Sequence, residues 1–423
     1  MSALKKSSGI SRRTVIQGIG LAVGSIFTPA WPWLPIAEAS GRIKIGVLLP
    51  QSKWCPAFSE NLLAGLRLGF DHMRLPSGES GAELKVESIS PGGAGAEART
   101  EKLIGTDKVD AVVGVVSESV AARLGGLFSH AKVPLVVAGL GANIIRRNEQ
   151  KPFVYHVSLD LWQASWALGA WAASSLGTKG FMAASLYDSG YDTHWAFRRG
   201  FEEGGGCVQE CVVTHASSNS VNLASVIEKI GETRPDFVYA SHCGNAAAEF
   251  IKTYADAGLT GRIPLTGSAF LTDEAGLQVH GEAAQGIRTC LPWSCNLDTP
   301  ANRLFTAAFM QSAGRRPDVP ALLGCETALL ISSAWRNAGG IGGARFSEAL
   351  AVAECEGPRG RARMKTDASI SEGPLYLREV RQSAGMWGNE ILAELPAVSG
   401  HCSSIESIRT ALRSGWISPY LFV

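Results

Sequence analysis

Val109-Asp110-Ala111-Val112-Val113-Gly114-Val115-Val116-Ser117-Glu118-Ser119 reads as a buried strand handing over to a helix. The apolar run Ala111 to Val116 is broken only by Gly114. Such a run fits a strand covered on both faces, as in a parallel sheet. A helical pattern follows from Val120 to His130. Two hydroxyl side chains and the unpaired N–H groups of a helix start therefore sit together at a strand's end. Those N–H groups favour negative charge, and open α/β sheets bind ligands at the carboxyl ends of their strands. The turn is a candidate seat for one end of a small anionic or polar ligand. The alternative is that Ser117 or Ser119 serves only as an N-cap.

Outward from this stretch, strand and helix patterns alternate. Ile43–Leu49, Glu83–Ile89, Pro134–Ala138 and Val154–Val157 read as strands, and Phe58–Met73 and Glu97–Ile104 as helices. The pattern resets near residues 155–160. A helix over Leu161–Leu176 carries Trp162 and Trp166 on one stripe, a core spacing. Strands follow at Gly180–Leu186, Cys207–Thr214, Phe237–Ala240 and Ile263–Leu265, with helices between them. This alternation predicts parallel sheets with right-handed crossovers. It gives an α/β fold of two Rossmann-like lobes joined by a hinge, with a cleft that suits a ligand. Pro300–Ser312 and Ala321–Asn337 read as further helices. Beyond Gly339 the pattern weakens, although Leu375–Val380 fits a strand and Ile405–Leu412 a helix.

The chain opens with Lys5, Lys6 and the Arg12-Arg13 pair, followed by a glycine-broken apolar stretch and Ala37-Glu38-Ala39. That is the layout of a twin-arginine export signal cleaved after residue 39. The segment carries four basic residues and one acid, so the net +1 of the whole chain becomes −2 without it. A near-neutral chain argues against a nucleic-acid partner. Nine cysteines are an odd number, and their spacings are not those of a zinc site; buried thiols and one or two disulfides are expected in an oxidising compartment. No metal and no cofactor are expected. Gly139-Leu140-Gly141 follows a strand, but Ile144 stands where a dinucleotide loop needs its third glycine. No nucleophile elbow, His-Glu-x-x-His or phosphate loop is present. A binding protein is therefore favoured over a secreted hydrolase, and no catalytic residue is assigned.

In order and spacing the chain resembles the periplasmic substrate-binding proteins of branched-chain amino acid ABC transporters, the leucine-binding, type I periplasmic-binding fold. The resemblance rests on Arg42-Ile43-Lys44-Ile45-Gly46-Val47-Leu48-Leu49, on Lys108 to Gly114 with Ser117 and Ser119, and on Val133-Pro134-Leu135-Val136-Val137. Tyr187-Asp188-Ser189-Gly190-Tyr191, Pro235-Asp236-Phe237-Val238-Tyr239, Pro264-Leu265-Thr266-Gly267-Ser268 and Gly281-Glu282-Ala283-Ala284-Gln285-Gly286-Ile287 continue it. It spans Arg42 to Asn337. It implies one lobe from 43–157 plus about 292–355, a second from 158–291 plus about 356–385, and leaves 386–423 as an unassigned extension.

The resemblance also implies a site. Ser117 and Ser119 grip a ligand carboxylate, Phe58 or Trp54 covers the ligand, and Tyr191 supplies a wall from the second lobe. Phe58 has an equal claim as a core residue. Gly139 and His242 stand at strand ends facing the cleft. The family's partners for an α-ammonium fall at Ala142 and Ala269. Burying an ammonium without partners costs several kcal/mol. An acid or amide lacking the amino group therefore fits better, although Glu118 offers a charge. The expected molecule is a periplasmic, monomeric receptor that closes on a small solute and docks on a membrane permease. A periplasmic ligand sensor is the alternative.

Overall fold

The computed structural model describes residues 37–38, 41–51, 56–71, 73–74, 81–90, 93–116, 118–142, 151–185, 192–214, 223–366, 373–383 and 385–398, with side chains at 37, 38, 56, 74, 118 and 119 excepted. The first lobe holds a parallel five-stranded sheet. Its strands are β1 (Ile43–Pro50), β2 (Ala82–Ile89), β3 (Ala111–Gly114), β4 (Leu135–Gly139) and β5 (Val154–Ser158). They stand in the order β2-β1-β3-β4-β5. β3 is fully buried, as its apolar run requires. Helices α1 (Pro56–Phe70), α2 (Ala96–Glu101) and α3 (Glu118–Ala131) alternate with these strands.

The second lobe repeats this plan. Its strands β6 (Lys179–Ser185), β7 (Cys207–Thr214), β8 (Phe237–Ser241), β9 (Leu265–Gly267) and β10 (Arg288–Leu291) lie in the order β7-β6-β8-β9-β10, all parallel. Helices α4 (Leu161–Ser175), α5 (Asp192–Glu203), α6 (Leu223–Thr233), α7 (Gly244–Asp256) and α8 (Glu274–His280) accompany them. Strand order in both lobes thus reverses direction next to the first strand. In such sheets the switch point is where ligands bind. It lies between β1 and β3 in one lobe and between β6 and β8 in the other.

The chain then returns to the first lobe as α9 (Pro300–Ala313) and α10 (Val319–Asn337). Thr299 and Asp318 cap them by accepting from the N–H groups of Asn302 and Ala321, with a proline in each first turn. Helix α11 (Ala344–Ala351) and the hairpin β11 (Glu354–Gly357)–β12 (Gly360–Arg363) follow, and the hairpin packs on α10. The chain therefore crosses to the second lobe after Arg363, later than the expected boundary near 356. β13 (Leu375–Ser383) and β14 (Met386–Leu395) then extend the second sheet antiparallel from β10. Residues 386–395, left unassigned from sequence, are its edge strand; an edge strand exposed along much of its length carries little apolar alternation.

Glycines set the closest helix contacts in both lobes. A Cβ on Gly324 of α10 would lie 2.1 Å from the Leu62 carbonyl oxygen, and one on Gly65 of α1 would lie 2.0 Å from that of Ala321. In the second lobe, a Cβ on Gly169 would lie 2.1 Å from the Phe197 oxygen and one on Gly200 2.1 Å from the Trp166 oxygen. Each lobe thus has one helix pair in reciprocal backbone contact. Trp162 and Trp166 pack in a buried cluster with Ala196 and Val398, as their spacing implies. Cys207, Cys211, Cys243, Cys290, Cys295, Cys325 and Cys355 carry unbridged thiols. Cys55, Cys402 and the proposed helix over Ile405–Leu412 lie outside the described residues, as does nearly all of the stretch 1–39 expected to be an export signal.

Candidate functional site

The turn after β4 in the first lobe and the turn after β8 in the second contribute residues to one apolar cluster that spans both lobes. In the first lobe β4 ends at Gly139 and turns through Leu140, Gly141 and Ala142. Leu161 and Trp162 N–H groups donate to the carbonyls of Leu140 (3.2 Å) and Gly141 (3.0 Å), strapping this turn to α4. Gly141 has φ +67°, and a Cβ there would stand 2.3 Å from Ser158 Oγ and 2.5 Å from the Asp160 nitrogen. Only glycine meets both demands.

The lobes touch at this turn. The Thr193 N–H, on the first turn of α5, donates to the Ala142 carbonyl at 3.0 Å. Ala142 and Ala269 are both buried, and they share one continuous apolar cluster with Leu140, Leu161, Cys243 and Phe58. The two positions at which the family's ammonium partners are expected thus both lie in this apolar cluster. Phe58 stands in the first turn of α1 and is 4 % exposed, within that cluster. Gly139 pairs with Ser158 of β5 at the edge of the turn. Trp54, Ser117 and Tyr191 lie outside the described residues, and Ser119 is described by its backbone alone, in the first turn of α3.

His242 follows β8 directly, at the second lobe's switch point. Its ring is buried, stacks on Phe250 at 4.6 Å and 20°, and has Nε2 3.3 Å from Thr214 Oγ1. Burial, then the nearby His194, pushes its pKa down to about 3. His194 on α5 has Nε2 3.6 Å from Cys211 Sγ, and burial followed by Arg198 pushes it down to about 4. Both imidazoles are therefore neutral near pH 7, and neither supplies a positive charge to a carboxylate.

The crossovers behind the cleft are held by buried charge. Asp160 accepts from Ser158 Oγ (2.9 Å) and Gln163 Nε2 (3.2 Å) and forms a buried ion pair with Lys365. Lys365 and His156 exchange backbone hydrogen bonds of 2.8 and 2.9 Å. Arg359 binds buried Glu326 at 2.7 Å and donates to the Ser158 carbonyl at 3.4 Å. Sequence reading missed Thr193, Thr214, Asp160 and Lys365. For the first three the available signal was position, at a helix start or a strand end; Lys365 gave none.

Two α/β lobes of like topology, meeting through apolar residues at the turn after β4 and tied by crossover segments, define a hinged receptor for a small solute. The chain belongs to the periplasmic binding protein family, whose model matches residues 42–385. It is similar to the Leu/Ile/Val-binding protein homolog 6 of Brucella melitensis, with 25% identity over 349 residues, 81% of this chain and 88% of that one. A solute-binding protein of an ABC transporter from R. palustris, solved in complex with benzoate, is 30% identical with TM-score 0.71, covering 85% of this chain and 98% of that one. An ABC transporter substrate-binding protein from Sphaerobacter thermophilus is 26% identical with TM-score 0.75, covering 84% and 98%. The protein is thus an ABC-transporter solute-binding protein of the type I periplasmic-binding fold. Among the described residues no helix is long and apolar enough to cross a membrane, and no group of three or more His, Cys, Asp or Glu is arranged to hold a metal.

Proposed function

We propose that this receptor captures a small aromatic carboxylate, exported by the twin-arginine signal to the periplasm, and presents it as a monomer to a membrane permease. Ser117 and Ser119 receive the carboxylate at the first lobe's switch point, with Trp54 and Tyr191 covering the ring and Gly139 and His242 lining the cleft. The observation that carries this reading is the burial of Ala142 and Ala269 in one apolar cluster. An α-ammonium placed there loses water and gains no hydrogen bond from either side chain, a loss of several kcal/mol. An aromatic face loses nothing. The 30% identical relative in complex with benzoate supports the same class. The Brucella relative's name favours a branched-chain amino acid as the second reading.

Calorimetric titration of the mature protein with benzoate and with leucine separates the two. Benzoate is expected to bind and leucine to fail. The Ala269→Glu variant sharpens the test. Its carboxylate has no counter-charge when benzoate is bound, so benzoate binding weakens by about 100-fold or more, at roughly 3 kcal/mol for an unpaired buried charge. Leucine binding is gained. Wild-type protein that binds leucine and ignores benzoate refutes the proposal.

A further inference from the structure

His242 follows β8 in the second lobe as Val115 and Val116 follow β3 in the first: at the end of the strand beside the first strand of a 2-1-3-4-5 sheet. Its neighbour Cys243 belongs to the apolar cluster that also holds Ala142 and Ala269, so this turn borders the interface. The hydrogen bonds around the ring fix its tautomer. Thr214 Oγ1 donates to the Ala184 carbonyl at 3.2 Å, which uses its only proton. Toward His242 it is therefore an acceptor, and the proton of the 3.3 Å contact belongs to Nε2. In a neutral ring Nδ1 is then a bare lone pair. Burial keeps the ring neutral, so Nδ1 does not become a donor near pH 7. Nδ1 is buried and has no hydrogen-bond partner among the described residues. Buried polar atoms are nearly always paired, and this one accepts only from a donor.

We propose that His242 Nδ1 accepts a hydrogen bond from the ligand's second polar group, so that the receptor selects aromatic carboxylates bearing a ring hydroxyl over unsubstituted or methoxylated ones. The inference rests on the aromatic-carboxylate reading above and adds the chemistry at the far end of the ring. Thr214 is the positioning residue, since it holds the tautomer.

The test is calorimetric titration with benzoate, 3- and 4-hydroxybenzoate and the matching methoxybenzoates. At least one hydroxybenzoate is expected to bind about tenfold tighter than benzoate and than its own methoxy ether, the worth of one buried hydrogen bond. In His242→Gln the amide nitrogen stands near the former Nε2 and no acceptor replaces Nδ1, so the ratio falls to about one. In His242→Asn the amide oxygen stands near Nδ1 and the preference survives. Thr214→Val frees the tautomer, and the methoxy ether gains on the hydroxybenzoate. Benzoate binding as tightly as every hydroxybenzoate in the wild type overturns the role of His242 while leaving the ligand class intact, as does a His242→Gln variant that keeps the preference. Failure of every aromatic carboxylate overturns the ligand class and this inference with it. The wild-type ratio decides even where a variant fails to fold.

Discussion

Replacing Gly200 by Ala tests how tightly the second lobe is built. The new Cβ would lie 2.1 Å from the Trp166 oxygen, 2.9 Å from its carbonyl carbon and 3.0 Å from Trp166 Cδ1. Ordinary contact begins near 3.4 Å. The obstructing oxygen belongs to a helix backbone and has no rotamer by which to withdraw. Helices α4 and α5 must therefore separate by about 1 Å, which also loosens the reciprocal contact at Gly169. Overpacking costs about 1–3 kcal/mol, and a rigid backbone neighbour puts this site at the upper end. About 3 kcal/mol in a lobe of this size lowers the melting temperature by roughly 6–12 °C. Gly231 is the control: it lies in α6, and a Cβ there meets nothing within 4 Å. Gly231→Ala removes the entropy penalty of a helical glycine and should raise stability by about 0.5–1 kcal/mol. Thermal unfolding of the two variants, followed by circular dichroism without ligand, should give shifts of opposite sign. A Gly200→Ala protein that melts at or above the wild-type temperature refutes the reasoning.

Two further outcomes follow from buried charge. The Asp273 carboxyl, at the N-cap of α8, is pushed up to about 8 by burial first and then by Asp318 and Glu274, with Arg378 opposing. Its folded pKa exceeds the unfolded value of about 3.9, so the folded state keeps a proton that the unfolded chain gives up. The contribution to stability is full below about pH 4 and is lost as pH rises toward 8; Asp273→Asn should flatten that slope, and identical slopes for variant and wild type between pH 5 and 8 in urea titrations would exclude it. Lys365→Met leaves Asp160 buried without its counter-ion and should cost about 3–5 kcal/mol, whereas a loss below 1 kcal/mol by urea unfolding would show the pair to be dispensable.

The parallel core was legible because its strands are covered on both faces. Ala111–Val116 and Phe237–Ala240 are uninterrupted or nearly uninterrupted apolar runs, and both form strands at the centre of their sheets. Met386–Leu395 was not legible, since an edge strand exposed along much of its length keeps Glu390 and Glu394 beside Ile391 and Leu395. The hairpin 354–363 was hidden for a related reason: its strands are four residues long and flanked by glycine. In the site, Ala142 and Ala269 could be singled out because a family pattern fixes what ought to stand there. The tautomer of His242 could not, because it depends on a hydroxyl 28 residues away and on that hydroxyl's own bond to Ala184. The Asp160–Lys365 pair joins residues 205 apart, and no local pattern announces such a partner.

That pair also determines what kind of motion the molecule can make. Lys365 is bound to the first crossover twice, through its ammonium to Asp160 and through its backbone to His156. The segment 156–160 and the segment around Lys365 are thus riveted side by side. Such a rivet favours rotation of the lobes about these segments over sliding of one segment past the other. A motion so constrained is followed by the distance between one pair of spectroscopic labels, one on each lobe.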